Sequence, residues 1–196
     1  MVLEDFKNED GKWIKLVCVN RAPVYTRAGQ VWRAMRDRCN PTGSKQQKYS
    51  RYVGCVMSSN FKDFNYFAEW CQCQIGYALP DYDLDKDILV TGNKLYSEET
   101  CVFVPQTLNT FFISCNASRG DLPRGVYSKN GKFAAMISIN GKRKTLGSSY
   151  ATPEIAYNAY KVAKELEANI WHSRLSNKEF IIDPRVIEKL HNWKLI

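Results

Sequence analysis

The sequence predicts an α+β chain built from two parts. Three observations carry this. Asn130-Gly131 and Asn140-Gly141 each sit between alternating apolar residues, the pattern of tight hairpin turns in which both central positions take positive φ. Thr152-Pro153-Glu154 then opens a long helical pattern, with a hydroxyl cap, a first-turn proline and an acid at the positive dipole end. Upstream, Phe61, Phe64 and Phe67 recur at helical spacing between short strand-like runs.

The elements follow in order. Residues 12–19 predict a strand. Residues 31–39 predict a helix with Val31, Trp32 and Met35 on one side, ended by Asn40-Pro41. Residues 41–48 read as a polar loop. A second helix is expected over 60–74, where Phe61, Phe64, Phe67, Ala68 and Cys71 form a core stripe and Gly76 offers a C-terminal cap. Residues 81–93 alternate and turn at Gly92-Asn93, which predicts a short hairpin. A polar turn at 97–99, a strand at 102–104 and a short helix over 105–112 come next, with Pro105 in the helix's first turn. Residues 114–123 carry the composition of a linker and separate two domains, 1–113 and 124–196.

The second domain has expected strands near 125–128, 132–139 and 142–146. After Thr152, the residues Ala156, Ala159, Tyr160, Ala163, Leu166 and Ile170 give one apolar stripe, suited to covering the sheet. Asp183-Pro184 opens a last helix with Val186, Ile187, Leu190 and Trp193 on one face.

Composition bounds the function. The chain has 196 residues, 44% of them hydrophobic, which is ample for packed cores and argues against global disorder. Its net charge of +8 favours polyanionic partners. No stretch approaches the roughly 18 apolar residues that span a bilayer. The first residues lack a basic segment leading into an apolar one, so no secretory signal is expected and the protein is read as cytoplasmic. The seven cysteines are then reduced, and Cys71-Gln72-Cys73, two apart on a helix, reads as packed thiols rather than a zinc site.

Side chains alternate along a strand. Phe133, Ala135, Ile137 and Ile139 should meet the helix, leaving Lys132, Ala134, Met136 and Ser138 on the other face. With Leu146 inward, Lys142 and Lys144 point one way and Arg143 and Thr145 the other. Around this sheet Arg119, Arg124, Lys129, Lys132, Lys142, Arg143 and Lys144 stand against Asp121 alone. A face this cationic suits phosphates, and a three-stranded sheet can enter a major groove.

Arg124-Gly125-Val126, then Gly131-Lys132-Phe133-Ala134-Ala135-x-Ile137, Leu146-Gly147 and Thr152-Pro153-Glu154 with Ala156 and Ala159 resemble the ethylene-response-factor (apetala-two, AP2/ERF) DNA-binding domain. The resemblance covers about 124–167. It implies a sheet that reads the major groove, with Arg124, Tyr127, Lys129, Met136, Ser138, Arg143 and Thr145 at the contact positions. The family often has Arg, Trp and Glu there, so this chain departs from its base-reading set.

The first part resembles phage HNH-type homing endonucleases. The residues that carry this are Trp32-Arg33-x-Met35-x-x-Arg38-Cys39, Tyr52-x-Gly54-Cys55, the Phe61 to Trp70 spacing, Leu84-Asp85-Lys86-Asp87-Ile88, Gly92-Asn93-x-x-Tyr96-Ser97-x-Glu99-Thr100-Cys101 and Gln106-x-x-Asn109. The resemblance implies an N-terminal ββα-metal domain that hydrolyses double-stranded DNA with Mg²⁺ or Mn²⁺. Asp85 and Asn109 match its metal ligands. Lys86 stands where the base histidine is expected, and Thr100 at the usual asparagine. A lysine flanked by Asp83, Asp85 and Asp87 suits steadying a phosphate better than taking a proton; Asp87 is then one candidate for the base, and a metal-bound water that loses its proton without a strong base is the other route. The expected protein is a monomeric, metal-dependent endonuclease acting in the host cytoplasm. Two alternatives stay open: a catalytically silent DNA-binding regulator, and a phage protein that inhibits a host protein.

Overall fold

The computed structural model describes residues 2–112, 121–139, 141–191 and 193–195. It mixes helices and strands, as the α+β expectation requires, and contains a three-stranded antiparallel sheet. The chain divides into two compact units, Met1–Phe103 and Val104–Ile196. The expected linker at 114–123 lies largely outside the described residues.

In the first unit, β1 (Leu16–Val19) and β2 (Ala22–Tyr25) form an antiparallel hairpin. The expected strand at 12–19 is thus shorter, with Trp13 bridging to Lys7 instead. Asn20 and Arg21 both take positive φ at the turn. Helix α1 (Arg27–Cys39) starts four residues before the expected 31, because the Thr26 hydroxyl accepts from the Gly29 N–H at 3.2 Å. The Asp5 carboxylate adds a second cap by accepting from the Ala28 N–H at 2.8 Å. Residues 44–48 are not loop but a short helix, α2 (Ser44–Lys48), followed by a 3₁₀ turn at Ser50–Tyr52.

The expected helix at 60–74 divides at Asp63. A 3₁₀ turn covers Asn60–Lys62, and Asp63 caps α3 (Phe64–Gln72). Phe61, Phe67, Ala68 and Cys71 are fully buried, so the aromatic stripe is core. Edge-to-face packing of Phe61 on Phe67, with ring centroids 5.1 Å apart, joins the two pieces.

The expected hairpin at 81–93 does not form. Strand β4 (Tyr82–Asp85) pairs with β6 (Val102–Pro105), while β3 (Val56–Met57) runs parallel to β5 (Leu95–Tyr96). The Asp85 carboxylate ends β4 by accepting the Asp87 and Ile88 N–H groups, each at 2.7 Å. That turns the backbone out of the extended conformation a hairpin needs.

In the second unit, α4 (Gln106–Phe112) comes first. Its Phe111 lies 5.4 Å from Trp193, centroid to centroid. Strands β7 (Val126–Lys129), β8 (Lys132–Ile139) and β9 (Lys142–Tyr150) form the sheet, and α5 (Pro153–Ser176) covers it. Asn130 and Gly131 both take positive φ, as the first Asn-Gly turn requires; Gly141 does too, while Asn140 lies outside the described residues. Thr152 caps α5 as expected. Helix α6 (Pro184–His191) buries Val186 and Leu190.

The stripe on α5 needs correction. Leu166 and Ile170 remain 60% and 44% exposed. The buried line runs through Ala156, Tyr160, Lys164, Ala168, Trp171 and Leu175 instead. Lys164 is 4% exposed because its ammonium donates to the Phe111 carbonyl at 2.5 Å and sits 3.5 Å over that ring.

Burial, with Arg124 nearby, pulls the Lys164 pKa from 10.5 down to about 7, partly offset by Glu167. Below about pH 7 both folded and unfolded chains hold this proton, so the desolvation penalty is fully present. Between about 7 and 10.5 only the unfolded chain holds it, so stability rises with pH. Lys164→Met should therefore stabilise the fold by on the order of 2 kcal/mol at pH 6. Thermal melts at pH 6 and pH 9.5 should show this gain shrinking at the higher pH.

Candidate functional site

The sheet's register decides which side chains share a surface, because cross-strand partners face the same way. Met136 pairs with Thr145, Ser138 with Arg143, Tyr127 with Ala134 and Lys129 with Lys132. Tyr127, Lys129, Met136, Ser138, Arg143 and Thr145 therefore lie on one face. The opposite face carries Val126, Ala135 and Ile137, packed with Ala156 and Tyr160 of α5. The contact face thus looks away from the helix.

Lys129, Lys132, Ser138, Arg143 and Thr145 are exposed on it, and Tyr127 and Met136 half-buried. Ala134, opposite Tyr127, is fully buried although it belongs to this face. Lys142 and Lys144 pair with Ile139 and Ile137, so they belong to the helix side, yet both are exposed near its edge. Arg124 stands apart from the others: its guanidinium lies 5.9 Å over the Tyr160 ring. A bulge after Thr145 keeps Leu146 inward and lets Gly147 pair with Ala135.

No strand of this sheet contains an acidic residue. None of the ion pairs among the described residues involves Lys129, Lys132 or Arg143. The face therefore offers cations for phosphates and the Met136 and Thr145 methyls for an apolar base edge.

The acidic turn belongs to the first unit. Asp85 is half-buried, and desolvation raises its carboxyl pKa despite the two backbone N–H groups on Oδ1. Lys86 is 4% exposed. Its ammonium donates to Asp87 Oδ1 at 2.5 Å and to the Asn93 carbonyl at 2.6 Å, and lies 5.6 Å over the Tyr96 ring. The Asn93 amide returns a bond to the Lys86 carbonyl at 2.9 Å, closing the loop between them. The Thr100 hydroxyl donates to the Leu95 carbonyl at 2.8 Å. Asn109 is half-buried on α4, in the second unit.

Asn93 is the part of this turn that sequence reading gave no chemical role. Residues 45–52 likewise carry no binding role in the sequence reading, although Lys45, Lys48 and Arg51 are interleaved with Tyr49 and Tyr52 there, a signal of a cationic-aromatic surface.

No family model matches the chain, and no curated protein or solved structure matches it. No helix of the described residues is long and apolar enough to cross a membrane.

Proposed function

We propose that this chain binds double-stranded DNA through the outer face of β7–β9 and acts as a metal-dependent endonuclease of the phage HNH homing type. The observation that carries the binding half is the shared, solvent-facing side of Tyr127, Lys129, Met136, Ser138, Arg143 and Thr145. Lys129 and Arg143 suit phosphates. Met136 and Thr145 suit a thymine methyl but give no forked donor pair for guanine, so base discrimination is weak.

The nuclease half has two supports. Strand β4 pairs with β6, and α4 follows β6 directly, the strand-strand-helix order of a ββα motif. Asp85 Oδ1 is held by the turn, while Oδ2 accepts no hydrogen bond among the described residues. A fixed, partly desolvated carboxylate oxygen fits a hard divalent cation such as Mg²⁺ or Mn²⁺. Such an ion would stabilise the leaving oxygen and acidify a water.

One observation favours the catalytically silent regulator instead. Lys86 Nζ donates to both the Asp87 carboxylate and the Asn93 carbonyl, a placement that uses it as a donor and not as a base. Among the described residues, no three His, Cys, Asp or Glu side chains form a group that could hold a metal.

Plasmid nicking with Mg²⁺ or Mn²⁺ separates the two. Cutting that Asp85→Asn lowers at least a hundredfold, with duplex affinity unchanged, is the result expected of the endonuclease. Absence of cutting by clean wild type with either metal, alongside duplex binding, leaves the silent binder.

A further inference from the structure

We infer that the first unit carries its own phosphate-backbone surface, built by α1, α2 and the 3₁₀ turn after them, which holds duplex DNA without reading its sequence. The partner class follows from the chemistry of this surface. The use of duplex rather than another polyanion rests on the DNA-binding reading above.

The surface is a run of cations laid on aromatic rings. Arg33 lies 5.0 Å over Tyr25, at the end of β2. Arg36 and Lys15 lie 4.6 and 4.9 Å over Trp32. Further along, Arg51 lies 5.0 Å from both the Tyr49 and Tyr52 rings, and Lys45 and Lys48 lie 5.9 and 5.5 Å over Tyr49. A guanidinium carries a forked N–H pair that matches a phosphate, and contact with a ring face leaves those donors unused. Stacking also restricts its rotamers before a ligand arrives, so less freedom is lost on binding.

Two neighbouring grooves run through this surface, of about 460 and 430 Å³, and both are lined by Tyr25, Arg33 and Asp37. Asp37 is the single acid among their lining residues. Arg33, Arg36, Lys45, Lys48 and Arg51 are exposed, and none of the ion pairs among the described residues involves them. Exposed like charges this dense repel one another, so a structural role alone gives no reason for their company. A polyanion relieves that repulsion, and release of its counterions drives binding.

A protein partner with an acidic segment is the competing occupant. Continuity favours the nucleic acid: the cations extend over three elements and two grooves, as a repeating backbone of phosphates requires.

The test uses the full chain and a fluorescent duplex at several salt concentrations. Arg33→Gln, Lys48→Gln and Arg51→Gln are combined, which removes the charge and keeps a polar side chain. This variant should fold and melt as wild type, bind duplexes of unrelated sequence at least tenfold more weakly near 100 mM salt, and lose about 2.7 from the salt slope. A second variant with Arg33→Lys alone should keep the wild-type slope. The reference is a variant with the sheet's Lys129, Lys132 and Arg143 replaced by alanine. An unchanged slope in the α1–α2 variant, with binding lost in the sheet variant, overturns this inference and leaves the proposed function standing. No duplex binding by wild type overturns both. Wild-type duplex binding in the α1–α2 variant, with loss of affinity for a poly-glutamate peptide, assigns the surface to an acidic protein and also overturns it.

Discussion

Replacing Lys129, Lys132 and Arg143 together by alanine is expected to lower duplex affinity by on the order of a hundredfold near 100 mM salt. The register puts all three on the side of the sheet away from α5. Each exposed cation neutralises one phosphate, so the salt slope should fall by about 0.9 for each, or about 2.7 for the three. Their exposure predicts little cost in stability, within about 0.5 kcal/mol for each surface substitution. Fluorescence anisotropy across 50–200 mM salt measures both numbers. Lys142→Ala with Lys144→Ala, on the helix side, should change the slope less. Equal losses from the two variants would mean that net charge, not this face, holds the DNA.

Gly125→Ala is expected to destabilise the second unit by about 3 to 5 kcal/mol. Gly125 has φ +76°, and a Cβ there would lie 2.1 Å from Cδ2 of Tyr160. The ring cannot retreat, since Tyr160 is 4% exposed in the core between helix and sheet. Gly125 also holds the sheet together, because its carbonyl accepts from the Met136 N–H at 2.8 Å. A contrast isolates the steric part. Gly131 has φ +73°, but a Cβ there would meet nothing within 4 Å. Gly131→Ala should therefore cost only the backbone term, about 1 kcal/mol. Thermal melts of both variants give the comparison. A similar loss in each would show that Tyr160 yields and that the close approach is unimportant.

Local signals in the sequence foretold local structure. Asn130-Gly131 names its turn because glycine tolerates positive φ, and Thr152 names the start of α5 because its hydroxyl reaches the Ile155 N–H. The alternation in β8 sorted Met136 and Ser138 from Ala135 and Ile137, since period two leaves little choice once one face must be buried. Asn20-Arg21 hid the β1–β2 hairpin, because arginine gives no sign of the positive φ it takes there. The pairings β3 with β5 and β4 with β6 join segments far apart in the chain, which no local pattern announces. Lys164 was illegible for a related reason: its place depends on a carbonyl at Phe111, 53 residues away. At the acidic turn the residue types were legible but their bonding was not. Nothing in Asp85-Lys86-Asp87 says that the ammonium closes on Asn93.

The most direct measurement is site-specific photocrosslinking of the full chain to duplex DNA. A benzophenone side chain at Met136 would report from the outer face of the sheet. The same group at Val162, which is 68% exposed on α5, would report from the other side. Strong crosslinks from position 136 and few from 162 are the expected result. Crosslinks from 162 with none from 136 would contradict the account.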